Sequence, residues 1–417
     1  MRRPIVFGAL LLFVLWAGIP LTGLSATRYN VLFVVADDMN IHLGCYGHEV
    51  HTPSIDRLAA RGVRFDRAYC QVPLCNPSRV SYLSGLRPAR TQVYTLKKET
   101  RSHLGDWVML PEYFRHQGYF TAQAGKIYHT GDGFEDPRSW DVEYREFGKR
   151  PPADQIIKSG DPEGPIRHTI DWEWLKTPDE ATPDGIQARR GVRLMEQAVA
   201  DDKPFFVGVG FRRPHAPFAA PREYFKMYPL AKVPLPTAPP PGYRDTLLRA
   251  ALNYGWPPQP LTEQQQRELV AAYYACNSFV DAQVGVLLDA LDRLRLWDNT
   301  IVVFFGDHGY HLGDHSGLWH KNSLFEESCR VPMIIHAPGA AGNGTACERI
   351  VELIDLYPTL TSLCGLPVPK DLDGVDLSPV LSDPQAETKD AAISVIARTD
   401  DPTERVVDVE FVGGSVR

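Results

Sequence analysis

The amino-acid sequence predicts an α/β fold with a central, mainly parallel sheet flanked by helices on both faces. Short apolar runs rich in β-branched residues, at 29–36, 204–211 and 299–305, are typical of strands that are buried on both faces. Segments with helical periodicity alternate with these runs, and the longest of them is 262–294. Strands that alternate with helices favour parallel pairing, with the helices packed against the two faces of the sheet.

The elements follow one another in this alternating pattern. The first strand is followed by a helix at 52–60 and by a strand or edge segment at 63–68. The sequence then predicts helices at 77–85, 107–117, 187–200, 262–294 and 352–363, and strands at 120–124, 204–211, 299–305 and 331–336. Residues 131–185 are polar and rich in Gly, Pro and Trp, and residues 229–260 are dense in proline. We expect both to be surface loops, the first of them irregular, of the kind that shapes a substrate pocket.

Composition and the N-terminal residues limit the class of protein. The chain has 417 residues and a net charge of −7, which gives no reason to expect nucleic-acid binding. Residues 1–3 are Met-Arg-Arg, residues 5–24 are apolar and residues 24–26 are Leu-Ser-Ala, a pattern typical of a signal peptide over 1–26. The alternative is an uncleaved membrane anchor, but Pro20 and two glycines interrupt the apolar run. We expect export to a periplasmic, secreted or lysosome-like compartment, with no stable membrane insertion after cleavage.

Residues 74–79 read Leu-Cys-Asn-Pro-Ser-Arg, which combines a thiol, a proline and a permanent cation. Pro77 has a fixed φ and no N–H, which suits the first position of a helix and puts Cys75 at or just before the helix N-terminus. Free N–H groups there, with Arg79 one turn on, would lower a thiol pKa or bind an anion such as sulfate or phosphate. Taken alone, Cys75 is better explained as a buried structural cysteine.

The chain contains seven cysteines, an odd number. Export would permit disulfides, and their pairing stays open at this point. At least one cysteine must be unpaired or otherwise used, which fits a modified Cys75.

Two predicted strands end in side chains that bind hard cations. Asp37 and Asp38 follow the first strand, and Asp307 and His308 follow a later one. Ligands of open α/β sheets lie outside the carboxyl ends of the strands, and adjacent carboxylates repel each other unless a cation lies between them. The Asp-Asp pair alone is explained equally well as a turn or a helix cap, but Gly-Asp-His-Gly at a second strand end favours a metal. Mostly carboxylate ligands suit Ca²⁺ or Mg²⁺ better than Zn²⁺, and we expect Ca²⁺.

Four further side chains lie where loops return to the same face. Lys126 and Lys321 are candidates for stabilising charge on an anionic group. His129 and His215 are expected to titrate near neutrality and to move protons. One such residue in a loop is usually only solvated, but several of them, each beyond a strand, indicate a shared site.

Together these motifs resemble those of the sulfatases of the alkaline phosphatase superfamily, and within them the iduronate-2-sulfatase-like group. The resemblance runs from about residue 30 to about residue 377 and is carried by Val-Ala-Asp-Asp (35–38), Leu-Gly-Cys-Tyr-Gly (43–47), Thr-Pro-Ser-Ile-Asp-Arg-Leu-Ala (52–59), Cys-Asn-Pro-Ser-Arg (75–79), Gly-Lys-x-x-His (125–129), Arg-Pro-His-Ala-Pro-Phe (213–218), Gly-Asp-His-Gly-Tyr-His-Leu-Gly-Asp-His (306–315) and Leu-Trp-His-Lys (318–321). His129 stands three residues after Lys126, as in that subgroup. The resemblance implies an alkaline-phosphatase-like sandwich.

The resemblance also implies a cofactor and a modified residue. In this family the cysteine of Cys-x-Pro-Ser-Arg is oxidised to formylglycine (3-oxoalanine), which here is Cys75. One Ca²⁺ per chain would be bound by Asp37, Asp38, Cys75, Asp307 and His308. A hydroxyl of the formylglycine hydrate would attack sulfur, and the sulfated hemiacetal would then expel sulfate and regenerate the aldehyde.

The remaining candidates take family roles as well. Arg79 and Lys126 would hold the formylglycine and neutralise charge. His129 would assist deprotonation of the hydrate and later breakdown of the sulfated intermediate. His215 and Lys321 would contact the sulfate and help to protonate the leaving alcohol.

The sequence therefore predicts an exported, Ca²⁺-dependent sulfuric ester hydrolase that acts on sulfated sugars or glycosaminoglycan-like polysaccharides. Its partners would be this sulfated carbohydrate substrate and a formylglycine-generating enzyme or equivalent maturase. One alternative is a phosphomonoesterase or phosphodiesterase of the same superfamily, which would need a second set of metal ligands and usually a Ser or Thr nucleophile. The other is a non-catalytic glycan-binding relative.

Two domains are expected after the signal peptide. The catalytic sulfatase domain would span 27–365, and 366–417 would begin a C-terminal subdomain. Family members continue there into an antiparallel sheet and a helix, and residues 413–417 resemble the run that leads into that sheet. We expect the subdomain to be incomplete in this sequence.

Overall fold

The computed structural model describes residues 28–145, 154, 156–159, 171–237, 239–248, 251, 261–398 and 411–417. The predicted signal peptide lies outside the described residues, as do parts of the predicted loops 131–185 and 229–260 and part of the C-terminal segment.

Strands and helices alternate through most of the described chain. The strands are β1 (Asn30–Asp37), β2 (Val63–Tyr69), β3 (Phe120–Gly125), β4 (Val142–Tyr144), β5 (Ile156–Ser159), β6 (Trp172–Leu175), β7 (Phe205–Pro214), β8 (Phe218–Pro221), β9 (Thr300–Gly306), β10 (His311–Gly313), β11 (Leu318–His320), β12 (Arg330–His336), β13 (Ala346–Glu352), β14 (Ile393–Arg398) and β15 (Phe411–Val416). The helices and single helical turns are α1 (Pro53–Ala59), α2 (Cys75–Ser84), α3 (Pro88–Thr91), α4 (Leu110–His116), α5 (Pro183–Ala200), α6 (Arg222–Phe225), α7 (Glu263–Leu294), α8 (Asp314–Gly317), α9 (Glu326–Cys329), α10 (Leu356–Leu363) and α11 (Ser378–Ser382).

Eight of these strands form the central sheet, in the order β13-β2-β12-β9-β1-β7-β3-β4. β9, β1, β7, β3 and β4 run parallel to one another, and β13 runs parallel to β2. β12 is antiparallel to both of its neighbours, β9 and β2. The prediction of an α/β fold with a mainly parallel sheet is confirmed.

The central strand β1 is buried along its whole length because each of its faces borders a separate core. Phe33 and Val35 belong to the core shared with α2 and α10, whereas Leu32 and Val34 belong to the core shared with α7. The Phe33 ring packs at 5.1 Å from the ring of Phe305 on β9. Each such buried side chain contributes about 1.5–3 kcal/mol, and only a continuous apolar run satisfies both faces at once.

Several predicted boundaries are wrong in detail. α2 begins at Cys75, so Pro77 is its third residue rather than its first; its missing N–H is still among those that lack an intrahelical acceptor. The segment 352–363 is helical as predicted apart from Glu352, which ends β13; residues 353–355 form a 3-10 turn that leads into α10 at Leu356. β13 is not predicted by the sequence, since its first half carries the exposed polar residues Glu348 and Arg349.

The segment 131–185 is not irregular throughout, contrary to prediction. β4 joins the edge of the central sheet beside β3. β6 pairs with β5 and β8 in a three-stranded sheet, where Trp172 is buried. These short strands owe their pairing to partners that are distant in sequence, so local periodicity does not reveal them.

The residues after 365 also form more than a polar tail. β14 and β15 pair as an antiparallel two-stranded sheet. Ala392 and Ile396 pack with Tyr69 and Ile350 of the main domain. The division of the chain at residue 365 stays a prediction.

All seven cysteines lie in the described residues, and each is a free thiol. Six of them, including Cys75, are buried. Among the helices of the described residues, no helix combines the length and apolar character needed to span a bilayer.

Candidate active site

The candidate site lies at the carboxyl ends of the central parallel strands. Ala36 on β1 pairs with Gly306 on β9, so that Asp37 and Asp307 leave neighbouring strands at the same level. The backbone of Asp38 turns into the left-handed region, with φ 66°, and its N–H donates to Asp307 Oδ1 at 3.0 Å. This turn ends β1 and keeps the two adjacent carboxylates at the edge of the sheet.

Helix α2 presents Cys75 to these carboxylates from its first turn. Cys75 Sγ lies 3.3 Å from His308 Nε2, 3.2 Å from Lys321 Nζ and 3.9 Å from Asp38 Oδ1. Ser78 Oγ donates to the backbone carbonyl of residue 307, which ties the helix to the end of β9. The positive end of the helix dipole therefore points at the place where an anion would bind.

Arg79 is fully buried and holds two of the carboxylates in place. Its Nε donates to Asp307 Oδ2 at 3.0 Å, and its guanidinium forms an ion pair with Asp37 at 3.4 Å. It also donates to the carbonyls of Lys126 and Ile127, the residues that follow β3. Arg79 thus joins the carboxyl ends of β9, β1 and β3.

Two lysines complete the charge balance of the site. Lys126 forms an ion pair with Asp37, and Lys321 forms one with Asp38. Together with Arg79 they set three cations against the three buried aspartates.

A close backbone approach positions Lys126. Gly125 has φ 83°, and a Cβ on it would lie 2.1 Å from the carbonyl oxygen of Gly210 on β7. Only glycine fits there, and it lets the chain turn at the end of β3 toward the aspartates.

The pKa values of the two adjacent aspartates are shifted in opposite directions by burial and neighbouring charge. Burial raises the pKa of Asp38, and the opposing charge of Lys321 does not offset it. Burial also acts to raise the pKa of Asp37, but nearby cations, with Lys126 the strongest, hold that pKa well below its ordinary range. Asp38 is therefore the carboxylate that a bound cation would stabilise most.

The other two charged groups beside the thiol behave as cations. Burial lowers the pKa of His308, but Asp307 and Cys75 outweigh it and raise the pKa to about 9. Burial likewise lowers the pKa of Lys321, but Asp38 and Cys75 raise it well above its ordinary value. His308 would have to release its proton to bind a metal ion.

His129 and His215 lie beside the same cluster, but they do not titrate near neutrality as expected. Burial and the charge of Lys126 lower the pKa of His129 to about 3. Burial and the charge of Lys321 hold the pKa of His215 well below its ordinary value. Both imidazoles are neutral at pH 7.

Their ring nitrogens are held differently. His215 Nδ1 lies 2.6 Å from the carbonyl oxygen of Ala216, so it carries the proton and leaves Nε2 as the basic nitrogen. His129 Nδ1 is buried and has no hydrogen-bond partner among the described residues.

The donor set fits a divalent cation. Ligand atoms of Asp37, Cys75, Asp307 and His308 lie within 4.8 Å of one another, and so do those of Asp37, Asp38, Cys75 and His215. Carboxylate oxygens predominate, which suits a hard cation such as Ca²⁺, and an oxygen in place of the Cys75 sulfur would make the set harder still. The structure therefore brings every predicted site residue into one region.

Sequence reasoning missed residues that shape this region. Tyr273, buried within α7, donates its hydroxyl to the Asp38 carbonyl at 2.7 Å and accepts the N–H of Asn40 at 2.9 Å, which fixes the turn after β1. Ser78 belongs to a quoted motif, and only the structure shows its bond to residue 307. A buried tyrosine in a periodic helix carries no local signal of such a role.

A known protein family matches the part of the chain that carries these residues. The model of the Sulfatase family matches residues 29–366, most of the chain. The chain belongs to the sulfatase family. This sulfatase is accordingly a sulfuric ester hydrolase.

Individual relatives agree with that assignment. The sulfatase is 36% identical over 393 residues to mouse (Mus musculus) iduronate 2-sulfatase, a match that covers 83% of this chain and 71% of the relative. Human (Homo sapiens) iduronate 2-sulfatase is 34% identical over 385 residues, covering 82% of this chain and 70% of the relative. Iduronate 2-sulfatases are thus homologues of this sulfatase over most of its length.

Solved structures share the fold. A phosphonate monoester hydrolase of Agrobacterium radiobacter superposes with a TM-score of 0.74 at 24% identity, covering 89% of this chain and 81% of that chain. A protein solved in complex with its substrate D-glucosamine-2-N,6-O-disulfate superposes with a TM-score of 0.71 at 22% identity, covering 94% and 87%. At these identities the likeness concerns the fold alone.

Proposed function

We propose that this sulfatase hydrolyses sulfate esters of sulfated sugars or glycosaminoglycan-like polysaccharides, with a formylglycine made from Cys75 and one bound Ca²⁺. The position of Cys75 carries the proposal: it begins α2, and its Sγ lies 3.2 Å from Lys321 Nζ and 3.3 Å from His308 Nε2. Similarity to iduronate 2-sulfatases supports a sulfated sugar as the substrate class.

The site's own residues would hold both groups. When present, the formylglycine hydrate supplies a nucleophilic hydroxyl and Ca²⁺ supplies positive charge. The residues that would hold the cation, together with residue 75, are Asp37, Asp38, Asp307 and His308. Arg79 keeps two of these carboxylates in place.

Lys321 is suited to two tasks. Because its pKa is raised despite burial, it keeps its proton and can bind a sulfate oxygen. The same ammonium group can donate a proton to the leaving alcohol. A donor aimed at developing charge in such a site is worth about 10²–10³ in kcat.

The two neutral histidines are suited to accept protons. His129 lies near Lys126 with an unpartnered Nδ1, and the negative charge of a bound sulfate would raise its lowered pKa, so that it could take the proton of an attacking hydroxyl. His215 offers Nε2 because Nδ1 is held by a carbonyl. A bound sulfate would raise the pKa of His215, so that it could take up a proton and pass it to the leaving alcohol.

Peptide mass spectrometry and kinetics test the proposal. After co-expression with a formylglycine-generating enzyme, the peptide containing Cys75 should carry an aldehyde, and the protein should cleave sulfate esters. Cys75→Ala should lose turnover, whereas Cys45→Ala, which removes a partly exposed thiol, should retain it. A persistent thiol at Cys75, or unchanged activity in Cys75→Ala, would overturn the proposal.

Substrate comparison separates the alternatives. The matured protein should hydrolyse an aryl sulfate faster than the matching aryl phosphate; the reverse order would favour the phosphoesterase alternative. Binding of sulfated sugars without turnover, despite a confirmed formylglycine, would favour a glycan-binding relative. A panel of defined sulfated sugars would then identify the preferred sulfate position.

Export is part of the proposal. The pattern of residues 1–26 supports a cleaved signal peptide, and maturation of Cys75 by a formylglycine-generating enzyme would accompany export. N-terminal sequencing of the exported protein should begin at Thr27. A chain recovered with Met1 intact in the membrane fraction would contradict this part.

A further inference from the structure

A second group of metal-binding side chains lies outside the catalytic site. Ligand atoms of His311, His315 and Glu327 lie within 4.8 Å of one another. His311 is fully buried, whereas the side chains of His315 and Glu327 are 20% and 32% exposed. The group is therefore fixed on one side and accessible from solvent on the other.

Both imidazoles of this group are held by a hydroxyl on the side away from the carboxylates. His311 Nε2 lies 2.7 Å from Ser323 Oγ, and His315 Nδ1 lies 2.6 Å from the hydroxyl of Tyr243. Metal-binding histidines typically donate their second ring N–H to such an outer partner, which fixes the tautomer and the ring orientation.

The other ring nitrogens face carboxylates. His315 Nε2 lies 3.0 Å from Glu327 Oε2. His311 Nδ1 is buried without a hydrogen bond among the described residues, and its near carboxylate oxygen, Asp314 Oδ2, is 3.6 Å away. When each histidine donates one ring N–H to its hydroxyl partner, its other ring nitrogen points a lone pair at a carboxylate oxygen. A cation bound between the ring nitrogens and the carboxylate oxygens removes the repulsion between these lone pairs and the negative charge.

We propose that His311, His315 and Glu327 bind a transition-metal ion of the Zn²⁺ class, separate from the catalytic cation. Two imidazole nitrogens and a carboxylate suit Zn²⁺ better than Ca²⁺. The ion would link β10 and the α8 turn to α9. Because Lys321 lies between these elements, the metal would stabilise the segment that carries it.

Metal titration tests this site without reliance on catalysis. Co²⁺, as a spectroscopic substitute for Zn²⁺, is added to Cys75→Ala protein saturated with Ca²⁺, since that variant has no thiol at the catalytic cluster. One equivalent should bind, with visible d–d bands. His315→Gln and Glu327→Gln should each weaken binding at least about tenfold, and Tyr243→Phe should weaken it by about 10–100-fold. His116→Gln, which changes an exposed histidine on α4, should bind as the parent does.

The same samples give a second readout. Zn²⁺ should raise the midpoint of thermal unfolding of the parent and of His116→Gln, but not that of His315→Gln. Equal Co²⁺ affinity in the parent, His315→Gln and Glu327→Gln would overturn the proposal and leave this group as hydrogen-bonded ion pairs. Absence of a Zn²⁺ effect on the unfolding of the parent would overturn it as well.

Discussion

Two of the buried clusters of carboxylates and cations in the described part of the protein are built differently. The cluster of the proposed active site, here called the catalytic cluster, consists of Asp37, Asp38 and Asp307 with Arg79, Lys126 and Lys321. The second, here called the structural cluster, consists of Glu352 and Asp355 with Arg87 and Lys389. In both clusters the carboxylates are withdrawn from water, so the difference lies in what compensates their charge.

Backbone N–H groups fix the structural cluster. Glu352 accepts both Arg87 amino groups, at 2.8 and 2.6 Å, and the N–H of Ile393 on β14 at 2.9 Å. Asp355 accepts the N–H groups of Glu352 and Val375, at 2.7 and 2.8 Å. These partners cannot move without unfolding local structure, so this cluster holds the C-terminal strands on the main domain.

In the catalytic cluster, the charges of Asp37 and Asp38 are balanced by side chains, and the two lysine side chains are long enough to move. Asp38 is paired with the long side chain of Lys321 and lies 3.9 Å from the Cys75 thiol. Asp37 is paired with Lys126 and Arg79. In the proposed reaction, the lysine ammonium groups would move from a carboxylate to the incoming sulfate once a metal ion has taken their place. Glu352 and Asp355 are thus held partly by backbone donors, whereas the charges of Asp37 and Asp38 are balanced by side chains that can exchange partners.

The largest effect on stability should come from breaking the structural cluster. Glu352→Gln removes the carboxylate and leaves Arg87 without its charged partner, while Lys389 keeps its ion pair with Asp355. We expect a loss of about 3 kcal/mol in the free energy of unfolding, the low end for a buried pair because the Arg87 side chain is 26% exposed. Urea unfolding measures it, with Glu348→Gln, an exposed change on the same strand, as control. Unchanged stability would show that β14 is held in another way.

The catalytic cluster should respond in activity instead. Asp38→Asn keeps a residue that tolerates the φ of 66° but removes one charge from the proposed cation site. We expect kcat/KM on a sulfate ester to fall by at least about 10²-fold, and stability in calcium-free buffer to change by less than about 1 kcal/mol. A destabilisation as large as that of Glu352→Gln would contradict the distinction between the two clusters.

The sequence predicts the catalytic cluster but not the structural one, because only the residues of the catalytic cluster belong to local sequence patterns. Asp37 and Asp307 each come at the end of an apolar run that is typical of a doubly buried parallel strand, and parallel strands end at one edge of the sheet. Glu352 and Lys389 belong to separate elements that no motif links. Their meeting depends on tertiary packing.

The predicted strands lie inside the central sheet, and the unpredicted strands of that sheet lie at its edges. β1, β7 and β9 lie inside the sheet, and burial on both faces requires continuous apolar residues. β4 and β13 lie at its two edges, where exposure permits polar residues and removes the signal. The reversed direction of β12 likewise depends on its neighbours β9 and β2 rather than on its own composition.

Calcium should stabilise the protein through the catalytic cluster alone. A ligand that binds only the folded state at ten times its Kd adds about 1.4 kcal/mol to the free energy of unfolding. We expect this increment in the parent and in Glu352→Gln, and a smaller one in Asp38→Asn. Thermal unfolding with and without a chelator measures it. Equal calcium stabilisation of Asp38→Asn and the parent would place the ion elsewhere.

The smallest effect concerns the acid stability of the structural cluster. Burial acts to raise the pKa of Glu352, but Arg87, Lys389 and the Ile393 N–H outweigh it and lower the pKa. A lowered folded-state pKa means that the stabilisation is present above the unfolded value of about 4.3 and is lost as pH falls through the folded value.

Burial raises the pKa of Asp355, which acts in the opposite direction, so the difference between two proteins must be measured. The stability gap between the parent and Glu352→Gln should be constant from pH 7 to about pH 5 and should close below about pH 4. A gap that persists in acid would mean that Glu352 contributes through hydrogen bonds that Gln does not reproduce rather than through its charge.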